Sequence, residues 1–121
     1  MNLRILIVDD EPEILETTRW AFEANGYDVY TAPTGEEALS ILDQAHPDVL
    51  LIDYKLPKMS GLEFLQQART KYPTLPAILI TGLTHQSDDL EKESEALGTL
   101  AFLRKPLRME EVLEVVKQAT H

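Results

Sequence analysis

The sequence predicts an α/β fold, a doubly wound (βα)5 three-layer sandwich built on a parallel five-stranded sheet. Short apolar runs alternate with amphipathic helical patterns five times along the chain. That alternation favours parallel strands joined by right-handed crossovers. Most of the apolar runs are continuous, which is typical of strands buried on both faces. The length of 121 residues and the hydrophobic content of 44% suit one compact unit, so we expect residues 1–121 to form a single domain.

The five predicted strands are short and differ in polarity. Strand 2 reads DVYTA and strand 3 reads DVLLID, so strand 2 is the more polar. A more polar strand suits an edge of the sheet, and the order 2-1-3-4-5 follows, with its switch point between strands 1 and 3. The predicted strands are Leu3–Val8, Asp28–Ala32, Val49–Ile52, Ala77–Ile80 and Leu100–Leu103.

The predicted helices lie between the strands and have recognisable ends. Pro12 favours the first turn of helix 1, and Asn25-Gly26 ends that helix. Trp20 lies off the apolar face of helix 1, so we expect an exposed aromatic side chain. The other predicted helices are Gly35–Ala45, Leu62–Tyr72, Gln86–Leu97 and a fifth that has Met109, Val112, Leu113 and Val116 on one face.

The composition narrows the classes of function. The chain has no cysteine, which excludes disulfides and thiolate metal sites. Its 21 acidic and 11 basic residues give a formal charge of −10, and such a surface repels nucleic acid and acidic membranes. The N-terminal apolar run is too short for a signal segment or a membrane span. We therefore expect a cytoplasmic protein with no direct nucleic-acid contact and no membrane partner.

Polar side chains follow the strands near the predicted switch point. Asp9 and Asp10 come directly after strand 1, and Asp53 follows strand 3. Thr81 follows strand 4, and strand 5 leads to Lys105. Ligands of such sheets bind outside the carboxyl ends of the strands at the switch point. We therefore expect three carboxylates, a hydroxyl and an ammonium group at one rim of the sheet.

The electrostatics of that rim call for a cation. Two carboxylates about 5 Å apart repel each other by about 3 kcal/mol at an effective dielectric constant near 20. A few oxygen ligands at a solvent-open rim suit Mg²⁺. A cation and a lysine around a carboxylate can neutralise a phosphoryl group while the carboxylate attacks it. The alternative is that the acids complement the dipole of helix 1, but this does not explain Asp53, Thr81 and Lys105.

At these residues the chain resembles the receiver domain of two-component response regulators. The matching motifs are ILIVDDEP, DVLLIDYKLPKMSGLEFL, AILITG and FLRKP, and the resemblance covers essentially all 121 residues. It implies a flavodoxin-like fold and a phosphorylation-dependent signalling switch. It also implies Mg²⁺-dependent self-phosphorylation and autodephosphorylation rather than enzymatic turnover of a separate substrate.

The resemblance assigns a role to each polar residue of the rim. Asp53 matches the phospho-acceptor, and Asp9 and Asp10 match the acid pair that binds Mg²⁺. The backbone carbonyl of Lys55 matches a further metal ligand. Lys105 matches the lysine that pairs with the phosphoryl oxygens, and its peptide bond to the following proline is expected to be cis.

The resemblance also implies a switch and residues that tune it. Thr81 matches the hydroxyl that hydrogen-bonds the attached phosphoryl group, and Phe102 matches the aromatic that turns inward as Thr81 moves. The face formed by helix 4, strand 5 and helix 5 would then be remodelled. Gly82 stands where many members have alanine, and its small size should leave access to the acceptor. We expect Lys55 and Leu83 to set the lifetime of the phosphoaspartate, since neither orients a water well.

The implied partners are a sensor histidine kinase or phosphotransfer domain, and a downstream protein or the chain's own output domain. Phosphorylation could also drive a homodimer through helix 4, strand 5 and helix 5. Trp20 on helix 1 is a candidate anchor for the phosphodonor protein. The main alternative is a phosphorylation-independent, receiver-like interaction module. A phosphatase of the haloacid-dehalogenase type is disfavoured because its nucleophile motif needs an acid where Lys55 stands. A nucleotide or flavin binder is disfavoured because no glycine-rich loop follows strand 1.

Overall fold

A parallel five-stranded sheet forms the middle layer of the molecule. The computed structural model describes residues 2–82 and 87–120, and its strand order is β2-β1-β3-β4-β5, as predicted. The polar strand β2 lies at an edge, as its sequence indicated. The predicted bounds agree with the observed ones to about one residue. The strands are β1 Arg4–Val8, β2 Asp28–Ala32, β3 Val49–Asp53, β4 Ala77–Thr81 and β5 Ala101–Arg104.

Five helices cover the two faces of the sheet in the described part of the chain. Pro12 occupies the first turn of α1, as expected. Thr34 caps α2 by accepting a hydrogen bond from the backbone of Glu37 at 3.1 Å, and Ser60 and Glu63 form a reciprocal capping box at α3. The helices are α1 Pro12–Ala24, α2 Gly35–Ala45, α3 Gly61–Lys71, α4 Ser87–Ala96 and α5 Met109–Ala119; Gln86, predicted to begin the fourth, lies outside the described residues.

The core consists of two apolar layers, one on each face of the sheet. Successive residues of a strand point to opposite faces, so β1, β3 and β4 contribute to both layers. This double burial explains why their sequences are continuous apolar runs. The layer between the sheet and helices α2, α3 and α4 contains Leu6, Val8, Leu50, Ile52 and Leu79 from the strands and Leu42, Phe64, Leu65 and Leu90 from the helices. The layer between the sheet and helices α1 and α5 contains Ile5, Ile7, Leu51, Ile78 and Ile80 from the strands and Phe22, Val112 and Val116 from the helices.

Arg69 ties the end of α4 to the end of α3. Its guanidinium group donates to the backbone carbonyls of Leu97 at 2.8 Å, Tyr72 at 2.9 Å and Leu75 at 2.7 Å. Burial lowers the pKa of Arg69 below its ordinary value. One half-buried side chain therefore satisfies three carbonyls where two connecting segments meet.

The register of the strands sets the height of the polar residues at the carboxyl end of the sheet. Val8, the last residue of β1, pairs with Ile52, so the residue after each lies one step further along neighbouring strands. These residues are Asp9 and Asp53. Asp53 in turn pairs with Ile80, which precedes Thr81. The sheet thus delivers three polar side chains to one rim. Among the described residues, no helix has the length and apolar content needed to cross a membrane.

Candidate functional site

Four carboxylates meet at the carboxyl ends of β1 and β3. Asp9, Asp10, Glu11 and Asp53 each offer one carboxylate oxygen, and these oxygens all lie within 4.8 Å of one another. Asp9 and Asp53 are buried, with exposed fractions of 2% and 3%, whereas Asp10 and Glu11 are exposed. The cluster therefore has a desolvated floor and an open, acidic mouth.

Lys105 supplies positive charge to this cluster from the end of β5. Its Nζ lies 3.2 Å from Asp53 Oδ2, 3.3 Å from Glu11 Oε1 and 3.8 Å from Asp9 Oδ2. The Lys105 backbone N–H donates to the carbonyl of Thr81 at 2.8 Å, which fixes the loop that carries the side chain. The Lys105–Pro106 peptide bond is cis, as the resemblance implied.

The buried acids have perturbed pKa values. Burial raises the pKa of Asp9 from its ordinary value of 3.8 to about 6; Asp53 adds to the rise, while the Glu11 N–H and Lys105 oppose it. Burial also raises the pKa of Asp53, against the lowering effect of Lys105. Burial alone would lower the pKa of Lys105, but the charges of Asp53 and Asp9 outweigh it and hold the pKa above 10.5.

The donor set fits a hard divalent cation. When all four acids are ionised, a single ammonium group leaves three uncompensated negative charges in the cluster. Burial is the main cause of the raised pKa values of Asp9 and Asp53, and the charge of a neighbouring acid adds to each rise. Oxygen ligands around an open mouth suit Mg²⁺, which keeps several of its waters. Asp9, Asp10 and Asp53 would hold it.

The start of α3 packs directly against the backbone of Asp53. The Gly61 N–H donates to the Tyr54 carbonyl at 2.7 Å, which folds the loop after β3 back onto the strand. A methyl group at Gly61 would overlap the carbonyl oxygen of Asp53 and come within 2.9 Å of the Ile52 side chain. A residue without a side chain is therefore required here for the loop to close over the strand end.

The remaining predicted site residues lie around this cluster. Thr81 ends β4 and is buried, with 1% of its surface exposed. Phe102 in β5 is partly buried and packs against the apolar layer under α2, α3 and α4. Lys55 is exposed in the loop after β3. Gly82 is exposed, and a methyl group there would make only ordinary contact, 3.8 Å from Lys105 Cδ. Leu83 lies outside the described residues.

Glu11 is a member of the cluster to which the sequence analysis assigned no role. Its carboxylate lies within 4.8 Å of the three predicted acids and forms an ion pair with Lys105. The available signal was its position directly after Asp10, before the proline that starts α1. That position does not predict the contact between Glu11 and Lys105, which lie 94 positions apart in the chain.

The chain matches a known protein family over almost its whole length. A model of the family described as "Response regulator receiver domain" matches residues 5–117. The chain belongs to this family. It is thus a receiver domain of two-component response regulators, as the resemblance in the sequence indicated.

Two related proteins match the chain over different shares of their own length. The chain is 34% identical to sporulation initiation phosphotransferase F of Bacillus subtilis over 118 residues, covering 98% of this chain and 94% of that protein. It is 36% identical to the alkaline phosphatase synthesis transcriptional regulatory protein PhoP of Bacillus subtilis over 117 residues. That match covers 97% of this chain but only 48% of PhoP, so the chain spans about half of that relative's length.

A solved structure gives the same fold and carries a ligand. The response regulator protein TrrA of Thermotoga maritima, solved in complex with Mg(2+)-BeF, is 35% identical to the chain and superposes with a TM-score of 0.85. The superposition covers 97% of this chain and 98% of TrrA. The receiver domain described here therefore has a close structural counterpart that binds Mg²⁺ together with a fluoride complex of beryllium.

Proposed function

We propose that this receiver domain is a signalling switch whose Asp53 carboxylate accepts a phosphoryl group in a Mg²⁺-dependent reaction. The observation that carries the proposal is the position of Lys105 Nζ, 3.2 Å from Asp53 Oδ2, beside a cluster of four carboxylates. A buried nucleophile with an adjacent fixed cation suits the transfer of a charged group. The complex of TrrA with Mg(2+)-BeF supports the same assignment by similarity.

In the proposed reaction, an oxygen of Asp53 attacks the phosphorus of a phosphohistidine. The new bond joins the carboxylate oxygen to phosphorus, and the bond from phosphorus to the imidazole nitrogen breaks. The imidazole keeps that electron pair and takes up a proton. Lys105 remains beside Asp53 and pairs with the oxygens of the transferred group. Bound at Asp9, Asp10, Asp53 and the Lys55 carbonyl, Mg²⁺ would supply further neutralisation of those oxygens.

Phosphorylation would be read out through Thr81 and Phe102. A phosphoryl group adds about −1.5 to −2 charge and three acceptor oxygens beside the end of β4. The Thr81 hydroxyl would donate to one of them, and the shift of Thr81 would let Phe102 turn further inward. The face of α4, β5 and α5 would change, by a population shift worth about 1–3 kcal/mol. That face would control a partner, an output domain or a homodimer.

The lifetime of the phosphoaspartate would depend on Lys55, Gly82 and Leu83. An exposed lysine beside the acceptor and a leucine do not orient an attacking water as an acid or amide would. We expect Lys55→Asn combined with Leu83→Glu to change the dephosphorylation rate. An unchanged rate would show that these side chains do not set the lifetime.

The phosphodonor protein would dock beside α1. A groove of about 330 Å³ between α1 and the segment after β5 is lined by Ile14, Thr17, Thr18 and Leu107 and reaches Lys105. Lys105 lines this groove and also contacts Asp53, so a histidine side chain of a kinase or phosphotransfer domain could approach Asp53 from there. We also propose that the reaction takes place in the cytoplasm and that residues 1–121 form a single domain.

Transfer from a labelled donor protein tests the proposed function. A histidine kinase or phosphotransfer domain carrying a radiolabelled phosphohistidine is mixed with the wild type, Asp53→Asn and Asp89→Asn in the presence of Mg²⁺. Asp89 is an exposed acid of α4 and serves as a matched control. Label should pass to the wild type and to Asp89→Asn but not to Asp53→Asn. Labelling of Asp53→Asn would refute the assignment of the acceptor. No labelling of the wild type from any donor would favour a module that acts without phosphorylation.

A further inference from the structure

The cation that the proposed reaction needs is shared with a second acid. Lys105 Nζ donates to Asp53 Oδ2 at 3.2 Å and to Glu11 Oε1 at 3.3 Å. The two contacts are almost equal in length, although Asp53 lies in the floor of the site and Glu11 at its mouth. The ammonium group is therefore held between the acceptor and an acid that the reaction itself does not require.

The backbone places Glu11 at the mouth of the site, whereas its side chain keeps freedom to move. The Glu11 N–H donates to Asp9 Oδ1 at 2.9 Å, and its carbonyl accepts from the Leu15 N–H at 3.0 Å. Glu11 is the N-cap residue of α1, but its side chain makes no cap hydrogen bond to the helix. The side chain is 58% exposed. Its carboxylate can thus hold Lys105 and can also swing away into solvent.

Two consequences for an incoming donor follow from this arrangement. A phosphoryl group that pairs with Lys105 competes with Glu11 for its ammonium group, because Asp53 and Glu11 already accept two of its three N–H donors. The Glu11 carboxylate also adds a negative charge at the entrance, which repels an anionic donor in proportion to its charge. The repulsion by Glu11, and its partial neutralisation of Lys105, weaken the binding of a small dianion more than that of a less charged donor, because both scale with the charge of the donor.

We propose that Glu11 is a specificity residue that competes for Lys105 and so discriminates against small, highly charged phosphodonors. This inference rests on the proposed function of Asp53 as the acceptor. It concerns the binding of the donor, and it leaves the transfer step to Asp53 and Lys105.

The test compares two small donors of different charge at saturating Mg²⁺. Acetyl phosphate is a dianion at neutral pH and phosphoramidate a net monoanion. Phosphorylation rates of the wild type, Glu11→Gln and Glu16→Gln are measured against the concentration of each donor. Glu16 is an exposed acid of the same helix, so its variant removes an equal charge elsewhere. Separately, the Lys105 ε-methylene signals are compared between the wild type and Glu11→Gln by NMR without any donor, assigned through their loss in Lys105→Met.

In Glu11→Gln, the half-saturating concentration of acetyl phosphate should fall about fivefold, the upper range for an exposed ion pair. That of phosphoramidate should change by less than about twofold, and the limiting rate should stay the same. Glu16→Gln should match the wild type, and the Lys105 signals should shift in Glu11→Gln. An equal change for both donors, a reduced limiting rate or unshifted Lys105 signals would each overturn the role of Glu11. None of these results would affect the proposed function of Asp53. Failure of the wild type to take a phosphoryl group from either donor would overturn the proposed function and this inference with it.

Discussion

Replacing Asp9 by asparagine should stabilise the metal-free protein at neutral pH. Asp9 is 2% exposed, and its pKa is raised from 3.8 to about 6, chiefly by burial. A raised pKa means that the folded state binds the proton more tightly than the unfolded state does. The folded state therefore loses stability as the pH rises from about 4 to about 6, and the loss persists above that range. A shift of about two units corresponds to about 3 kcal/mol.

Asparagine resembles the protonated acid in shape and removes this loss. Its amide oxygen can still accept the Glu11 N–H that donates to Asp9 Oδ1 at 2.9 Å. Lys105 keeps its closer contacts to Asp53 and Glu11, at 3.2 and 3.3 Å. At pH 7.5, without Mg²⁺, we expect Asp9→Asn to exceed the wild type by about 2–3 kcal/mol in the free energy of unfolding. At pH 4 the two proteins should be nearly equal.

Urea unfolding of both proteins at several pH values measures this difference. Carboxylates distant from Asp9 cancel in the comparison at each pH. Asp89→Asn, at an exposed position, should follow the wild type throughout. Saturating Mg²⁺ should stabilise the wild type and reduce the advantage of the variant, since a ligand of the folded state adds to its stability. A variant less stable than the wild type at pH 7.5 would refute the reasoning, because it would show that the ionised Asp9 is already compensated without a metal.

Three further predictions concern other positions. Gly61→Ala should lower the free energy of unfolding by about 2 kcal/mol or more and slow phosphorylation, because its methyl group overlaps the Asp53 carbonyl. Gly82→Ala should remain near the wild type in urea unfolding and in the phosphorylation rate. Equal behaviour of the two variants would contradict this. Arg69→Met should lower the free energy of unfolding, measured in urea, by about 2–4 kcal/mol because three carbonyls lose their donor. Arg19→Met, at an exposed position, is the control. A loss of stability no larger than that of Arg19→Met would contradict this prediction. Trp20→Ala should change the free energy of unfolding by less than about 0.5 kcal/mol, since Trp20 is 63% exposed. It should slow phosphoryl transfer from a donor protein but not from acetyl phosphate. Equal slowing with both donors would count against a docking role for Trp20.

The architecture could be predicted because local pattern and burial agree along the chain. Strands β1, β3 and β4 are buried on both faces, and only continuous apolar runs suit such positions. The edge position of β2 followed from the polar residues of DVYTA. The exposure of Trp20 followed from the helical period alone. In each case the sequence carries the information within a few residues.

The finer geometry depends on contacts between distant segments. The ion pair between Glu11 and Lys105 joins the first and last loops of the rim, and its existence depends on side-chain rotamers. The need for glycine at position 61 arises because the backbone of Asp53 lies against it, which spacing along the chain does not reveal. The roles proposed for Thr81, Phe102 and Lys55 concern a phosphorylated state, so they remain predictions.

The intact mass of the protein after incubation with acetyl phosphate and Mg²⁺ tests most directly whether Asp53 is a phosphoryl acceptor. The wild type should gain the mass of one phosphoryl group, and the gain should disappear in Asp53→Asn and when Mg²⁺ is chelated. Asp89→Asn should gain the same mass as the wild type. A folded wild type that binds Mg²⁺ but gains no mass, or an Asp53→Asn protein that still gains it, would contradict the assignment of Asp53 as the acceptor.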